Sequence, residues 1–132
     1  YKAESPDEEA LVSAAADLGF SLVERTSGSM TIDAQGIGQG KKKFKVHATI
    51  PFDSARKRMS VLVEDESGKF ILYTKGADNI MLERSKAGES TQFMNQHLSA
   101  YASEGLRTLV LGKRDFTGSG GKVSDYIVLI IL

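Results

Sequence analysis

Hydrophobic and polar positions alternate through Phe44, Val46, Ala48, Ile50 and Phe52, the period of a half-buried strand. Met59, Val61 and Val63 resume that period a few residues later. Two strands are therefore predicted, joined by a connection that delivers Arg56, Lys57 and Arg58 to one spot. Upstream the period lengthens to that of a helix. Leu11, Val12, Ala15 and Leu18 share one face, which predicts a helix over 6–18. Ser5 is placed to cap it, Pro6 suits its first position, Glu8 completes a capping box and Gly19 supplies the stop. Between helix and strands, 20–26 and 30–35 read as a hairpin around Ser27-Gly28-Ser29.

Downstream, a turn at 65–68 leads to a strand over 69–75 ending in Lys75-Gly76-Ala77-Asp78. Asp78 is placed to cap a short helix through Asn79, Ile80, Met81 and Leu82. A longer helix begins near Ser90, with Phe93, Met94, His97, Leu98, Tyr101 and Ala102 on one face and Gly105 as its C-cap. His97 reads as a packed histidine among these apolar neighbours, and His47 as a residue of its strand's polar face. A strand over 106–111 follows, opening on Arg107. Residues 117–121, Thr-Gly-Ser-Gly-Gly, have the composition of a flexible, shortened or engineered linker. The last strand, 126–132, is continuously apolar and is expected to be buried on both faces.

The chain has 132 residues, the size of one ordinary domain, with 41% hydrophobic and 26% charged residues, as in soluble globular proteins. Seventeen basic residues balance seventeen acidic ones, which argues against a nucleic-acid binder working through a global basic field. Any anion site must be local. The absence of cysteine removes disulfides and thiolate metal sites and fits a cytosolic setting. Two separated histidines without organised carboxylates make no metal site. No apolar run is long enough to span a bilayer, so no direct membrane insertion is expected, and a monomer is expected in isolation.

The candidate chemistry is that of holding an anion. Gly36–Lys41 contains glycines and a lysine, yet Gln35 and Lys42 stand where a P-loop needs glycine and Ser/Thr, and Lys41 displaces the third glycine of a dinucleotide fingerprint. It reads as a flexible hairpin loop. A strand ending in Lys75 and breaking at Gly76 into a helix N-terminus suits a phosphate or an aromatic base, with an ordinary strand-to-helix turn as the competing reading. Arg107 suits a bidentate phosphate contact or an exposed salt bridge. No nucleophile–base pair is visible, which leaves an independent small kinase or hydrolase without support.

Four stretches occur in one characteristic order: Glu4-Ser5-Pro6-Asp7-Glu8, the basic run from Phe52 to Ser60, Lys75-Gly76-Ala77-Asp78, and Gly105-Leu106-Arg107-Thr108-Leu109. Together they resemble the nucleotide-binding domain of type IV P-type ATPases, the phospholipid flippases, over most of the chain. The first two are specific to that subfamily; the last two are shared more widely by P-type ATPases. The resemblance implies an α+β fold, a twisted and mainly antiparallel sheet flanked by helices, with residues 1–132 forming a single nucleotide-binding domain. It implies that Phe52 stacks on adenine, that Lys75 and the adjoining Gly76 form the base of the pocket, and that Glu8 lies near the adenine edge. Ser54 and Lys57 then contact the nucleotide along its length, and Arg107 and Thr108 meet the phosphates.

The implied ligand is ATP, with Mg2+ in the parent enzyme but no ligands for it in this chain. The implied partners are the phosphorylation and actuator domains of a larger integral membrane protein, of which this is a cytoplasmic domain. The Asp-Lys-Thr-Gly-Thr motif that carries the phosphorylated aspartate is absent, so no catalytic residue is expected here. Pro51 replaces the acidic residue usual in the family, and the linker at 117–121 stands where a helical segment is common. A regulatory or scaffold domain of the same fold that contacts a partner protein is the alternative.

Overall fold

The computed structural model describes residues 6–85, 89–116 and 125–131, with 89–91 and 125–131 described by their backbone. Ser5, the linker at 117–121, Leu132 and the burial of the last strand lie outside what is described. Helix α1 is Pro6–Asp17, followed by strands β1 (Ser21–Arg25), β2 (Ser29–Asp33), β3 (Lys41–Ile50), β4 (Arg58–Glu64) and β5 (Phe70–Gly76). Helices α2 (Asp78–Glu83) and α3 (Glu89–Ser103) come next, then β6 (Thr108–Phe116) and β7 (Asp125–Ile131). Each strand pairs antiparallel with the one before it, so the sheet runs in chain order from β1 to β7. The fold is α+β, as expected.

Register assigns the two faces of the sheet. Ser60, Thr74 and Gly112 form one cross-strand row and Arg58, Gly76 and Val110 the next, all on one face. On that face Val110, fully buried, packs with Met81, Met94 and Leu98 from α2 and α3. Met59, Lys75 and Leu111 form a row on the opposite face, which α1 meets at its first turn. The helices are thus divided between the faces, as the two apolar stripes of an open sheet require.

Several expectations change on contact with the tertiary structure. A β-bulge between Val46 and Ala48 inverts the alternation of β3. Val46 lies opposite Val63, and Ile50 opposite Ser60 on the other face, so the two do not share a side. The apolar stripe of α3 is narrower than its spacing predicts. Met94 and Leu98 are buried, whereas Phe93 is 62% exposed and His97 is exposed, its ring stacked 6.1 Å from Tyr101. His97 is not a packed core histidine, because among the described side chains of α3 only those at 94, 98 and 101 turn towards the sheet. Helix α1 ends at Asp17, and Leu18 stands 70% exposed, because the chain turns sharply at Gly19. That turn brings Gly19 against Gly36, where a Cβ on either glycine would lie within 2.5 Å of the other's Cα. The loop between β2 and β3 is accordingly a folded turn, Gln35–Ile37 in 3-10 conformation, closed by Ala34 N–H donating to the Gly40 carbonyl at 2.8 Å. Among the described residues no helix is long and apolar enough to cross a membrane.

Candidate functional site at the β4–β5 ends

The basic connection between β3 and β4 is shaped by Asp53. Its Oδ1 accepts the Ala55 and Arg56 amides at 2.8 and 2.7 Å, and its carbonyl accepts the Lys57 amide at 2.8 Å. The turn leaves Lys57 in the left-handed region at φ 53°, a conformation that costs an ordinary side chain about 1 kcal/mol or more. What holds it there is the neighbouring strand end: Ala77 N–H donates to the Lys57 carbonyl at 3.1 Å. Gly76 makes this approach possible. A Cβ at Gly76 would sit 2.6 Å from both the Lys57 carbonyl oxygen and Arg58 Cβ, and 2.9 Å from Arg58 Cα. Glycine is needed here for closeness rather than for an unusual φ.

Lys75 stands one residue before this junction, its side chain 21% exposed and ion-paired to Glu8 of α1. Glu8 therefore has a tertiary partner beside the capping-box role the sequence predicts for it. Its neighbour Asp7 pairs with Arg107, Nη2 to Oδ2 at 2.6 Å, so the first turn of α1 presents a carboxylate to each of two predicted cations. Arg107 precedes β6 rather than opening it, and its side chain is 75% exposed, leaving most of the guanidinium to solvent. Thr108 Oγ1 donates to Asp78 Oδ2 at 3.4 Å, a long bond tying β6 to α2. Asp78 is not the helix cap: Ala77 occupies that position, and Asp78 Oδ1 accepts the Asn79 amide at 2.6 Å from the first helical residue. The helix begins one residue earlier than the sequence suggests because Ala77 is already extended, at ψ 139°.

The structure thus gathers Glu8, Lys57, Lys75, Gly76, Arg107 and Thr108 around the ends of β4, β5 and β6, with Lys57 entering through its backbone. Phe52 and Ser54 stand exposed on the loop, with no hydrogen bond or ring contact from either side chain among the described residues. The exposure of Phe52, 62%, follows from β3 ending at Ile50: the ring lies past the last paired residue and escapes the sheet. Two contributors went unrecognised in the sequence. Asp7 was overshadowed by the capping role of its neighbour. Met59 lies directly across from Lys75, and Leu111 on the other side, giving the lysine apolar flanks on its face of the sheet. Strand alternation from the basic run could have indicated Met59.

Chemically, an ammonium with three donors, a carboxylate beside it, apolar flanks and an arginine at the rim suit a planar, hydrogen-bonding base that carries a phosphate chain. Among the described residues no group of three or more His, Asp or Glu converges as a metal site.

The profile of the family described as P-type ATPase, cytoplasmic domain N, matches residues 1–126. The phospholipid-transporting ATPase dnf2 of Schizosaccharomyces pombe is 44% identical over 120 residues, covering 89% of this chain and 8% of that protein. Phospholipid-transporting ATPase 10 of Arabidopsis thaliana is 44% identical over 120 residues, 87% of this chain and 10% of its own length. Human phospholipid-transporting ATPase ID is 44% identical over 117 residues, 87% of this chain and 9% of its own. The chain therefore spans about a tenth or less of the curated relatives it matches. With four motifs in order, an α+β fold and a match over nearly all its length, the chain belongs to the P-type ATPase cytoplasmic domain N family, and its relatives are phospholipid-transporting ATPases.

Proposed function

We propose that this chain binds ATP and holds it for transfer of the terminal phosphoryl group to an aspartate in another domain of a phospholipid-translocating parent. The observation that carries the reading is the junction at Gly76, where Lys75, Glu8 and the basic loop converge in a chain of the domain N family. Lys75 retains donors beyond the one engaged by Glu8, enough for a ring nitrogen. The Glu8 carboxylate accepts from an exocyclic amino group, which adenine offers at the position where guanine carries an oxygen. The open ring of Phe52 supplies a stacking face worth about 1–3 kcal/mol per base in nucleic-acid systems. Ser54 and Lys57 contact the nucleotide along its length, while Arg107 and Thr108 reach the phosphates with Mg2+ bound to them.

The chain's contribution is positioning, since the phosphorylated aspartate lies elsewhere. The parent is a translocase of the membrane, this domain works on its cytoplasmic side, and its partners there are the phosphorylation and actuator domains. The test is an NMR titration of the chain with ATP and with GTP. ATP is expected to shift residues around Phe52, Lys75 and Arg107 with Kd on the order of 0.1 to a few millimolar, roughly −4 to −5.5 kcal/mol. GTP is expected to bind more weakly, and Lys75→Ala and Phe52→Ala each to abolish the response. Unmoved resonances at several millimolar ATP would sink the reading and favour a scaffold domain that contacts a partner protein.

A further inference from the structure

The sheet face opposite Lys75 carries a concavity of about 480 Å³ between β4, β5, β6 and the C-terminal end of α2. That volume lies within the range of small-molecule sites. Its floor is mixed. Ser60 and Thr74 join hydroxyls at 2.8 Å, Gly112 leaves space beside them, and Leu72 and Met81 supply apolar surface. Lys113 and Arg114 of β6 also line it, and its rim is cationic: Arg56 and Arg58 come from the basic loop and Arg84 from the end of α2, against one lining carboxylate, Glu83. Among the described residues none of these three arginines forms an ion pair. Arg56 and Arg58 are instead oriented by carbonyl oxygens. Arg58 Nη1 donates to the Arg56 carbonyl at 3.0 Å, and Arg56 Nη1 donates to the Pro51 and Arg58 carbonyls, both at 3.3 Å.

Carbonyl bonds aim a guanidinium without neutralising it. Partial burial, and then the charges of Arg84 and Arg56, hold the Arg58 guanidinium below its ordinary pKa against the opposing pull of the Asp53 carboxylate, as expected where like charges predominate. Such repulsion is relieved by an anion. A carboxylate answers one guanidinium fork, whereas a phosphomonoester dianion has three oxygens that meet arginines arriving from a loop and a helix end. We propose that this groove is an anion site for a phosphomonoester carried on a compact apolar body, with Arg56, Arg58 and Arg84 on the phosphate and Leu72 and Met81 beneath the body. The site lies across the sheet from Lys75 and does not depend on the ATP reading.

The probe is phenyl phosphate, titrated into the isotopically labelled chain alongside inorganic phosphate. Shifts are expected at the amides of Ser60, Thr74 and Gly112, saturating at low-millimolar concentration. Arg84→Gln, at an exposed helix end where folding is not at stake, is expected to weaken binding about fivefold or more, as loss of one charge-assisted bond implies. Glu83→Gln is expected to tighten it, and Lys75→Ala to leave it unchanged. The proposal is overturned if the groove amides do not move, if inorganic phosphate binds as tightly, if Arg84→Gln binds like the wild type, or if the shifts centre on Lys75 and Arg107.

Discussion

Replacing Gly76 by alanine isolates the contact on which the candidate site is built. The added Cβ would lie 2.6 Å from the Lys57 carbonyl oxygen and from Arg58 Cβ, and these are a backbone atom and a Cβ fixed to the backbone, with no flexible end to swing aside. Relief requires β4 and β5 to separate by roughly an ångström, against overpacking costs of about 1–3 kcal/mol. The same movement stretches the 3.1 Å bond from Ala77 N–H to the Lys57 carbonyl, adding about 1 kcal/mol. Gly76→Ala should therefore destabilise the chain by about 2–4 kcal/mol, read as a lowered midpoint in urea unfolding at unchanged slope. Gly28→Ala is the control. A Cβ there meets nothing within 4 Å, and its stability should stay within about 0.5 kcal/mol of the wild type. A Gly76→Ala chain as stable as the control would refute the argument that steric closeness, rather than ligand contact, demands glycine at this position.

Further outcomes follow from the packing and from the charges. Met94→Ala should cost about 2–5 kcal/mol, because that side chain is buried against Val110, whereas Phe93→Ala one residue away should cost less than about 0.5; chemical denaturation of both variants decides it. Arg107→Gln should change stability by less than about 1 kcal/mol, since its pair with Asp7 is largely exposed, while weakening ATP binding in the same titration that tests Lys75. The Asp65 carboxyl is held below its ordinary value of 3.8, first by the Ser67 hydroxyl and then by backbone amides, with burial opposing. Its folded pKa lies below its unfolded one, so its contribution is complete above the unfolded value and lost as pH falls through the folded one. The stability gap between wild type and Asp65→Asn should therefore be constant near neutrality and shrink below about pH 4, as followed by unfolding at a series of pH values.

How much of this was legible beforehand depended on the range of the interaction concerned. Period, caps and turns act over a few residues. The helix starting at Pro6, the presence of the strands, and the C-terminal Gly105, which adopts φ 74°, could all be read along the chain. The ordered motifs likewise placed it in its family from residue identities alone, because each spacing is local. What could not be read depended on contacts between distant segments. The bulge at 46–48 inverts the faces of β3, and only pairing with β4 places it. The exposure of Phe93 and His97 depends on the angle at which α3 meets the sheet, which the helical period does not specify. Gly76 looked like a ligand-facing gap beside a lysine, whereas the atoms that require it belong to Lys57 and Arg58, about twenty residues earlier in the chain. The pairing of Asp7 and Glu8 with Arg107 and Lys75 spans 100 and 67 residues. Sequence therefore determined which elements form and which chemistry they carry; the meeting of those elements, set by sheet register and close backbone packing, decided which residues share a site.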